Sequence, residues 1–284
     1  MTEKNVIITG ITSGIGTEIA LDFANKGFTL NLVAKSHESG NKIKDHIIKF
    51  TNHDKINVYK CDLSLQSEIQ EFVSDFKQNN NGLDILINNA GILPKDRIMT
   101  KEGIELQFAV NYIAPFLLSR LLLDLLKTSA PSRIVNTSST AHYSGNLNSN
   151  DFQKLNKKYT MRGWRAYFDT KLAMTIDTLE FAKTLEGTGV TCNAIHPGLV
   201  NTNLGRHMTP RFMKPFNIIL GMFILSAKDG AAPIIKAACS NEFDQITGKF
   251  YHRFKERKPS KNVFDNDLNL KLLKYTENIT NIVG

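Results

Sequence analysis

The 284-residue chain holds only three cysteines, eight prolines and one tryptophan. Cys61, Cys192 and Cys239 are far apart and never arranged as CxxC, which argues against both a disulfide framework and a zinc site. A reducing, cytoplasmic location is expected on that ground. With so little proline beside 18 glycines, 42% apolar and 22% charged residues, collagen-like, mucin-like and broadly disordered classes are excluded. Long apolar runs are missing as well. The longest, residues 216–227, falls short of the roughly 20 residues that a spanning helix needs, so no transmembrane segment is expected and this run is packed or interfacial. Met1 to Lys4 lead straight into Val6, Ile7 and Ile8, leaving no room for a secretory signal. No Gly/Ser/Pro-rich linker and no internal repeat divides the sequence, and a single domain over residues 1–284 is expected.

What is present in excess is positive charge: 35 Lys and Arg against 27 Asp and Glu leave a net charge of +8, which favours an anionic partner. The apolar residues gather into six short Val/Ile/Leu-rich runs at 6–9, 29–34, 57–59, 85–88, 133–137 and 190–195. Between them lie stretches of helical spacing at 14–25, 40–50, 65–78, 100–127, 166–185 and 230–240. Strands alternating with helices predict a parallel sheet, and continuously apolar strands predict helices on both of its faces. The expected fold class is therefore α/β, a single doubly wound parallel sheet.

The first strand runs into Thr9-Gly10-Ile11-Thr12-Ser13-Gly14-Ile15-Gly16 and then a helical pattern. Such a turn binds phosphate, because glycine lets the backbone come close while unpaired amides and the helix dipole face the anion. Gly10, Thr12, Ser13, Gly14, Ile15 and Gly16 are the candidates. The spacing is GxxxGxG, so a glycine-rich loop without a ligand remains the alternative. At the end of the second strand, where dinucleotide folds place an acid for a ribose hydroxyl or a base for a 2'-phosphate, stands Lys35, with no acid before Glu38. This favours NADP(H) over NAD(H); the alternative is that Lys35 is one more solvated lysine. Asp62, followed by Leu63, either meets the adenine or caps the next helix.

Tyr167 and Lys171 lie four apart within a helical stretch and so share a face. Tyr251 and Lys255 repeat the same spacing within a basic, strand-like segment. Context separates the two. Tyr167 follows Ser138-Ser139 at the end of the fifth strand, on the sheet edge where doubly wound folds bind ligands, and Tyr251 has no such partner.

In this order the elements Thr9 to Gly16, Asn88-Asn89-Ala90-Gly91, Asn111, Ser139, Tyr167 with Lys171, and Pro197-Gly198 resemble the short-chain dehydrogenase/reductase family. The resemblance covers nearly the whole chain. Asn136-Thr137-Ser138-Ser139 with Ala141-His142, then His196-Pro197-Gly198, looks most like its retinol dehydrogenase-like branch. It implies a Rossmann-type fold, a nicotinamide cofactor and hydride exchange with an alcohol or carbonyl. Tyr167 would exchange the proton, Ser139 would hydrogen-bond the substrate oxygen, and Lys171 would hold the nicotinamide ribose and lower the tyrosine pKa together with the oxidised nicotinamide. Asn111 would support a water-linked proton path. Asn88, Ala90 and Gly91 are implied on the adenosine side, and Pro197, Gly198, Val200 and Thr202 beside the nicotinamide.

Ser139 and Tyr167 stand 28 positions apart, farther than in many members of the family, which leaves Ser138 as the lesser candidate. The intervening residues 140–165 carry the only tryptophan, Trp164, and are expected to shape entry to the site. A substrate loop at about 200–228, rich in Met, Phe, Ile and Leu, suits a lipophilic carbonyl or alcohol. Packing on the core or on a second copy in a homo-oligomer is its equal alternative, and any weak membrane contact would come from it. Six basic residues between Lys249 and Lys261 have only Tyr251 and Phe254 interleaved, so nucleic-acid binding is not expected. No metal site is expected. The sequence thus predicts an NADP(H)-dependent oxidoreductase, the alternatives being a nicotinamide-binding regulator without turnover, or an epimerase or lyase of the same family.

Overall fold

The computed structural model describes residues 4–12, 14–155, 158–200 and 225–282. Parallel strands β1 (Asn5–Thr9), β2 (Thr29–Ala34), β3 (Ile56–Lys60), β4 (Ile85–Asn88), β5 (Ser132–Thr137), β6 (Val190–His196) and β7 (Phe250–His252) form the sheet, which β8 (Lys255–Glu256) closes antiparallel. Their order is β3-β2-β1-β4-β5-β6-β7-β8. The chain therefore reverses its winding between β1 and β4, the switch point at which doubly wound folds hold ligands.

Helices α1 (Ile15–Asn25), α2 (His37–Thr51) and α8 (Ala227–Cys239) cover one face. On the other lie α3 (Gln66–Asn79), α5 (Ala114–Leu121), α7 (Trp164–Thr184) and α9 (Asn266–Thr280). The two-residue period of a strand sorts the side chains between them: in β1, Ile7 joins the α3/α5/α7 core, while Val6 and Ile8 join the α1/α8 core. All three are fully buried, and each such burial contributes about 1.5–3 kcal/mol. The expected doubly wound α/β architecture is present.

The stretch expected as one helix over 100–127 is broken. Thr100 accepts from Gly103 N at 3.1 Å and, through Oγ1, from Ile104 N at 3.1 Å, making a turn in which Gly103 has φ +75°. The short α4 (Leu106–Phe108) then enters a π turn (Ala109–Ile113) before α5 and α6 (Leu123–Thr128). Pro115 explains the π turn: it has no N–H to offer the carbonyl four residues back, that of Asn111, and the ladder widens so that Ala114 N–H donates to Ala109 O. Helix α2 begins three residues before the expected 40, capped by Ser36, whose Oγ accepts from Ser39 N at 3.2 Å. Helix α9, which the periodicity reading did not include, is capped by Asp265 and seals the α7 side with the fully buried Leu272 and Thr276.

Candidate active site

The β1–α1 turn requires its glycines. Gly10 has φ +69°, and a Cβ there would stand 2.6 Å from Ala90 Cα; one on Gly16 would stand 2.1 Å from Gly10 O. Gly14 lies at φ 59°, ψ −127°, a region open to glycine. The turn is fastened to the end of β4. Thr9 Oγ1 accepts from the amides of Asn89 and Ala90, both at 3.0 Å, and Asn89 Nδ2 donates to Thr9 O at 3.2 Å and Gly10 O at 3.1 Å. Asn89 was absent from the expected site residues, although its place beside Ala90-Gly91 was visible.

From this turn a cleft of about 870 Å³ runs along the carboxyl ends of the strands. Gly10, Thr12 and Ile15 line one end. Ser139, Tyr167 and Lys171 line its middle, and Pro197, Gly198 and Val200 follow. Gly91 borders it, and a Cβ on Gly91 would stand 3.7 Å from both Asn111 Oδ1 and Lys171 Nζ, although Asn111 is itself fully buried and does not line the cleft. Asn111, on the π turn, is locked by Ile92, whose N–H donates to Oδ1 at 2.8 Å and whose carbonyl accepts from Nδ2 at 3.0 Å. Gly198 has φ +100°, and a Cβ there would strike Leu225. Ser13 and Thr202, and most of the expected substrate loop at 200–228, lie outside the described residues.

Helix α7 carries both reacting candidates on one buried face, Tyr167 at 8% exposure and Lys171 at 3%. Lys171 Nζ donates to Thr137 O at 2.8 Å and sits 5.7 Å from the Tyr167 ring centre. Burial lowers the Lys171 amine to about 8. No carboxylate among the described residues pairs with it. Burial pushes the Tyr167 phenol up to about 12, against a downward pull from its hydrogen bond with Ser139. The pull toward a lower value comes from Ser139, with no contribution from Lys171, and burial outweighs it in the protein alone.

Both serines border the cleft, but their hydroxyls have different partners. Ser138 Oγ is buried against Thr175 Oγ1 at 2.9 Å, whereas Ser139 bonds Tyr167. Ser139 Oγ also accepts from Ala141 N at 3.1 Å, which leaves its own hydrogen to donate. Trp164 stands edge-on to Tyr167 at 5.7 Å, and Leu93 packs with the tyrosine. His196, another residue not expected in the site, lines the cleft and is held to about 3, chiefly by burial.

Other expected residues are placed differently. The Asn88 side chain faces the core rather than the cleft, its Nδ2 donating to Asn136 Oδ1 at 2.8 Å and Ser119 Oγ at 3.3 Å. Leu63 packs against the α3 core. Lys35 stands at the end of β2 but pairs with Asp62 at 2.7 Å. Burial works to raise the Asp62 carboxyl, yet hydrogen bonds from Lys35 and Ser64 outweigh it and hold the group below its usual range. Asp62 Oδ1 also takes the N–H and hydroxyl of Ser64, shaping the turn before α3.

These features fit a dinucleotide: a close-approach glycine turn at one end, a buried amine without a carboxylate at the other, and a continuous cleft between. No group of His, Cys, Asp and Glu side chains among the described residues is arranged to hold a metal ion. None of the described helices is long and apolar enough to cross a membrane.

Comparison with known proteins points the same way. The family model for short chain dehydrogenases matches residues 4–150. Human retinol dehydrogenase 13 is 35% identical over 273 residues, 95% of this chain and 82% of that protein. Mouse retinol dehydrogenase 14 is 34% identical over 99% of this chain and 86% of its own length. Among solved structures, an uncharacterized protein from Mycobacterium paratuberculosis superposes with a TM-score of 0.78 at 26% identity, covering 99% of this chain and 94% of its own. A complex of Pseudomonas aeruginosa RhlG with NADP at its active site superposes at 0.71 with 23% identity, over 88% of this chain and 94% of its own, a likeness of fold.

Proposed function

Because this chain belongs to the short-chain dehydrogenase family, we propose that it is an NADP(H)-dependent oxidoreductase interconverting an apolar alcohol with its aldehyde or ketone. The observation that carries the reading is the convergence of Ser139, Tyr167 and Lys171 on one cleft that begins at the glycine turn. A reduced nicotinamide, when bound, supplies the hydride. The chain's own groups do the rest. Ser139 Oγ, its lone pair already taking the Ala141 N–H, turns its hydrogen to the carbonyl oxygen as charge gathers there. The Tyr167 phenol, bonded to Ser139, gives its proton to that oxygen in reduction and takes it back in oxidation. Lys171 lies beside Gly91 and Asn111 to hold a ribose and pass a proton inward.

Lys35 supports the choice of cofactor. Its side chain is 79% exposed and reaches the partly buried Asp62 from solvent, a pair worth about 1 kcal/mol. A charge-assisted contact with a phosphate contributes about 1.5–3 kcal/mol, enough to draw the ammonium from Asp62. The apolar substrate is supported by the names of the relatives and by Leu93, Ile98 and Leu199 in the cleft. A reducing, cytoplasmic setting belongs to the same reading and rests on three free cysteines. The test is a panel of aldehydes, retinal among them, followed by nicotinamide absorbance with NADPH and NADH. Oxidation of NADPH by apolar aldehydes is expected. Cofactor binding with no turnover of any aldehyde or alcohol would favour the non-catalytic alternative.

A further inference from the structure

We propose that His142 is the positioning residue of the serine, its Nδ1–H holding the Ser139 carbonyl so that the hydroxyl is presented to Tyr167 and the substrate oxygen. The inference rests on the reading above and deepens it. His142 is fully buried. One ring nitrogen, Nδ1, lies 2.7 Å from Ser139 O, and the other, Nε2, lies 3.1 Å from Ser260 N.

These two partners fix the tautomer. Ser260 N–H is a backbone amide and can only donate, so Nε2 accepts and carries no proton. Ser139 O can only accept, so the ring's single proton stands on Nδ1. Burial lowers the imidazole pKa and keeps the ring neutral. The Ser139 carbonyl thereby takes two bonds from one residue, the other from His142 N–H at 3.1 Å. With the carbonyl and Oγ both held, Ser139 is fixed at φ −151°, ψ 149°.

The ring cannot tilt away, because Tyr143 and Phe250 sit at 4.1 and 4.5 Å between centres. Behind it the C-terminal segment forms a strap. Tyr143 Oη donates to Lys258 O at 2.7 Å, and Asn262 Nδ2 donates to Gly145 O at 3.2 Å. A residue 118 positions downstream of His142 thus selects the proton that orients the serine. A merely structural histidine would tie the strap to the turn without bearing on the rate.

Half-replacements separate the two roles. In His142→Asn the side-chain amide nitrogen takes the place of Nδ1 and donates to Ser139 O, while Ser260 N–H loses its acceptor. In His142→Gln the side-chain oxygen reaches the place of Nε2, and Ser139 loses its donor. His142→Phe removes both. With the aldehyde turned over fastest in the panel and saturating NADPH, kcat is expected to fall about tenfold to a hundredfold in the Gln and Phe variants, since a misaimed oxyanion donor approaches the loss of one. The Asn variant restores most of that rate. Cofactor Kd, read by energy transfer from Trp164, should stay within about threefold in all three. Equal kcat in the Asn and Gln variants, or a faster Gln variant, would overturn the assignment and leave the functional reading intact. If the wild type turns over no aldehyde, the functional reading fails and the kinetic part of this inference falls with it. Ring 15N spectra of the wild type need no variant to fold. A protonated Nδ1 and bare Nε2 at neutral pH is expected, and the opposite tautomer or a doubly protonated ring overturns the proposal.

Discussion

Two pairs in this chain share the spacing Tyr-x-x-x-Lys, and the fold treats them oppositely. Tyr167 and Lys171 stand one turn apart on α7, both buried, both facing the cleft. Tyr251 is on β7 and Lys255 on β8, across an antiparallel hairpin in which Tyr251 pairs with Glu256 and His252 with Lys255. The Tyr251 ring turns into the α1/α8 core against Phe243 at 5.0 Å, and Lys255 is exposed. A separation of four residues brings side chains to one face only where the period is 3.6; in a hairpin it has no such meaning. The comparison also shows what burial does. Lys171 is buried, and burial disfavours its charged form.

The largest effect expected from breaking this contrast is at the lysines. Lys171→Met should cost turnover on the order of 10⁴-fold in kcat/KM, combining lost proton chemistry with a lost ribose contact. Lys255→Met should leave kcat/KM unchanged. Stability should move the other way. Because the Lys171 amine is lowered to about 8 in the fold, the unfolded chain binds its proton more tightly between pH 8 and about 10.4, so the penalty is full below pH 8 and fades as pH rises to 10. Lys171→Met should therefore raise stability at pH 7 by up to about 3 kcal/mol, less the bond to Thr137, and the gain should shrink by pH 10. Thermal unfolding at both pH values measures it.

Next come the serines. Ser139→Ala should lower kcat about 10²–10³-fold through loss of the donor to the substrate oxygen. Ser138→Ala should leave kcat nearly intact and cost about 1 kcal/mol of stability, because its partner is the buried Thr175 hydroxyl. Steady-state kinetics with a denaturant midpoint for each variant separates the two. A smaller effect is expected at the adenosine end, where Lys35→Asp should reduce the NADPH over NADH preference about tenfold to a hundredfold. Titration of both cofactors checks this, and tighter NADH than NADPH binding in the wild type would point to Glu38 as the ribose ligand.

The sheet was legible because buried strands announce themselves as apolar runs, and β1 to β6 all lie within a residue of where those runs stand. The break in 100–127 was hidden because its causes, the turn that Thr100 closes on Gly103 and Ile104 and the N–H missing at Pro115, sit inside an otherwise helical, apolar pattern. Around the cleft, residue types pointed to which side chains gather there, but the direction of a side chain was not readable: Asn88 and Asn89 are adjacent, and only packing decides that the first turns to the core and the second to the glycine turn. Lys35 and Asp62 were read singly for the cofactor, and their mutual pairing depends on β2 and β3 being neighbours. His142 stood out only beside Ala141 in the family resemblance, and its partner Ser260 lies too far along the chain for spacing to connect them.

The central claim, that the helical pair and not the hairpin pair carries the chemistry, is tested most directly by Tyr167→Phe and Tyr251→Phe side by side at saturating cofactor. Both substitutions keep the ring and remove one hydroxyl. Tyr167→Phe is expected to bind NADPH normally and to lose kcat on the order of 10²–10⁴-fold, while Tyr251→Phe keeps nearly the wild-type rate. Wild-type turnover in Tyr167→Phe, or an equal loss in both variants, would contradict the claim.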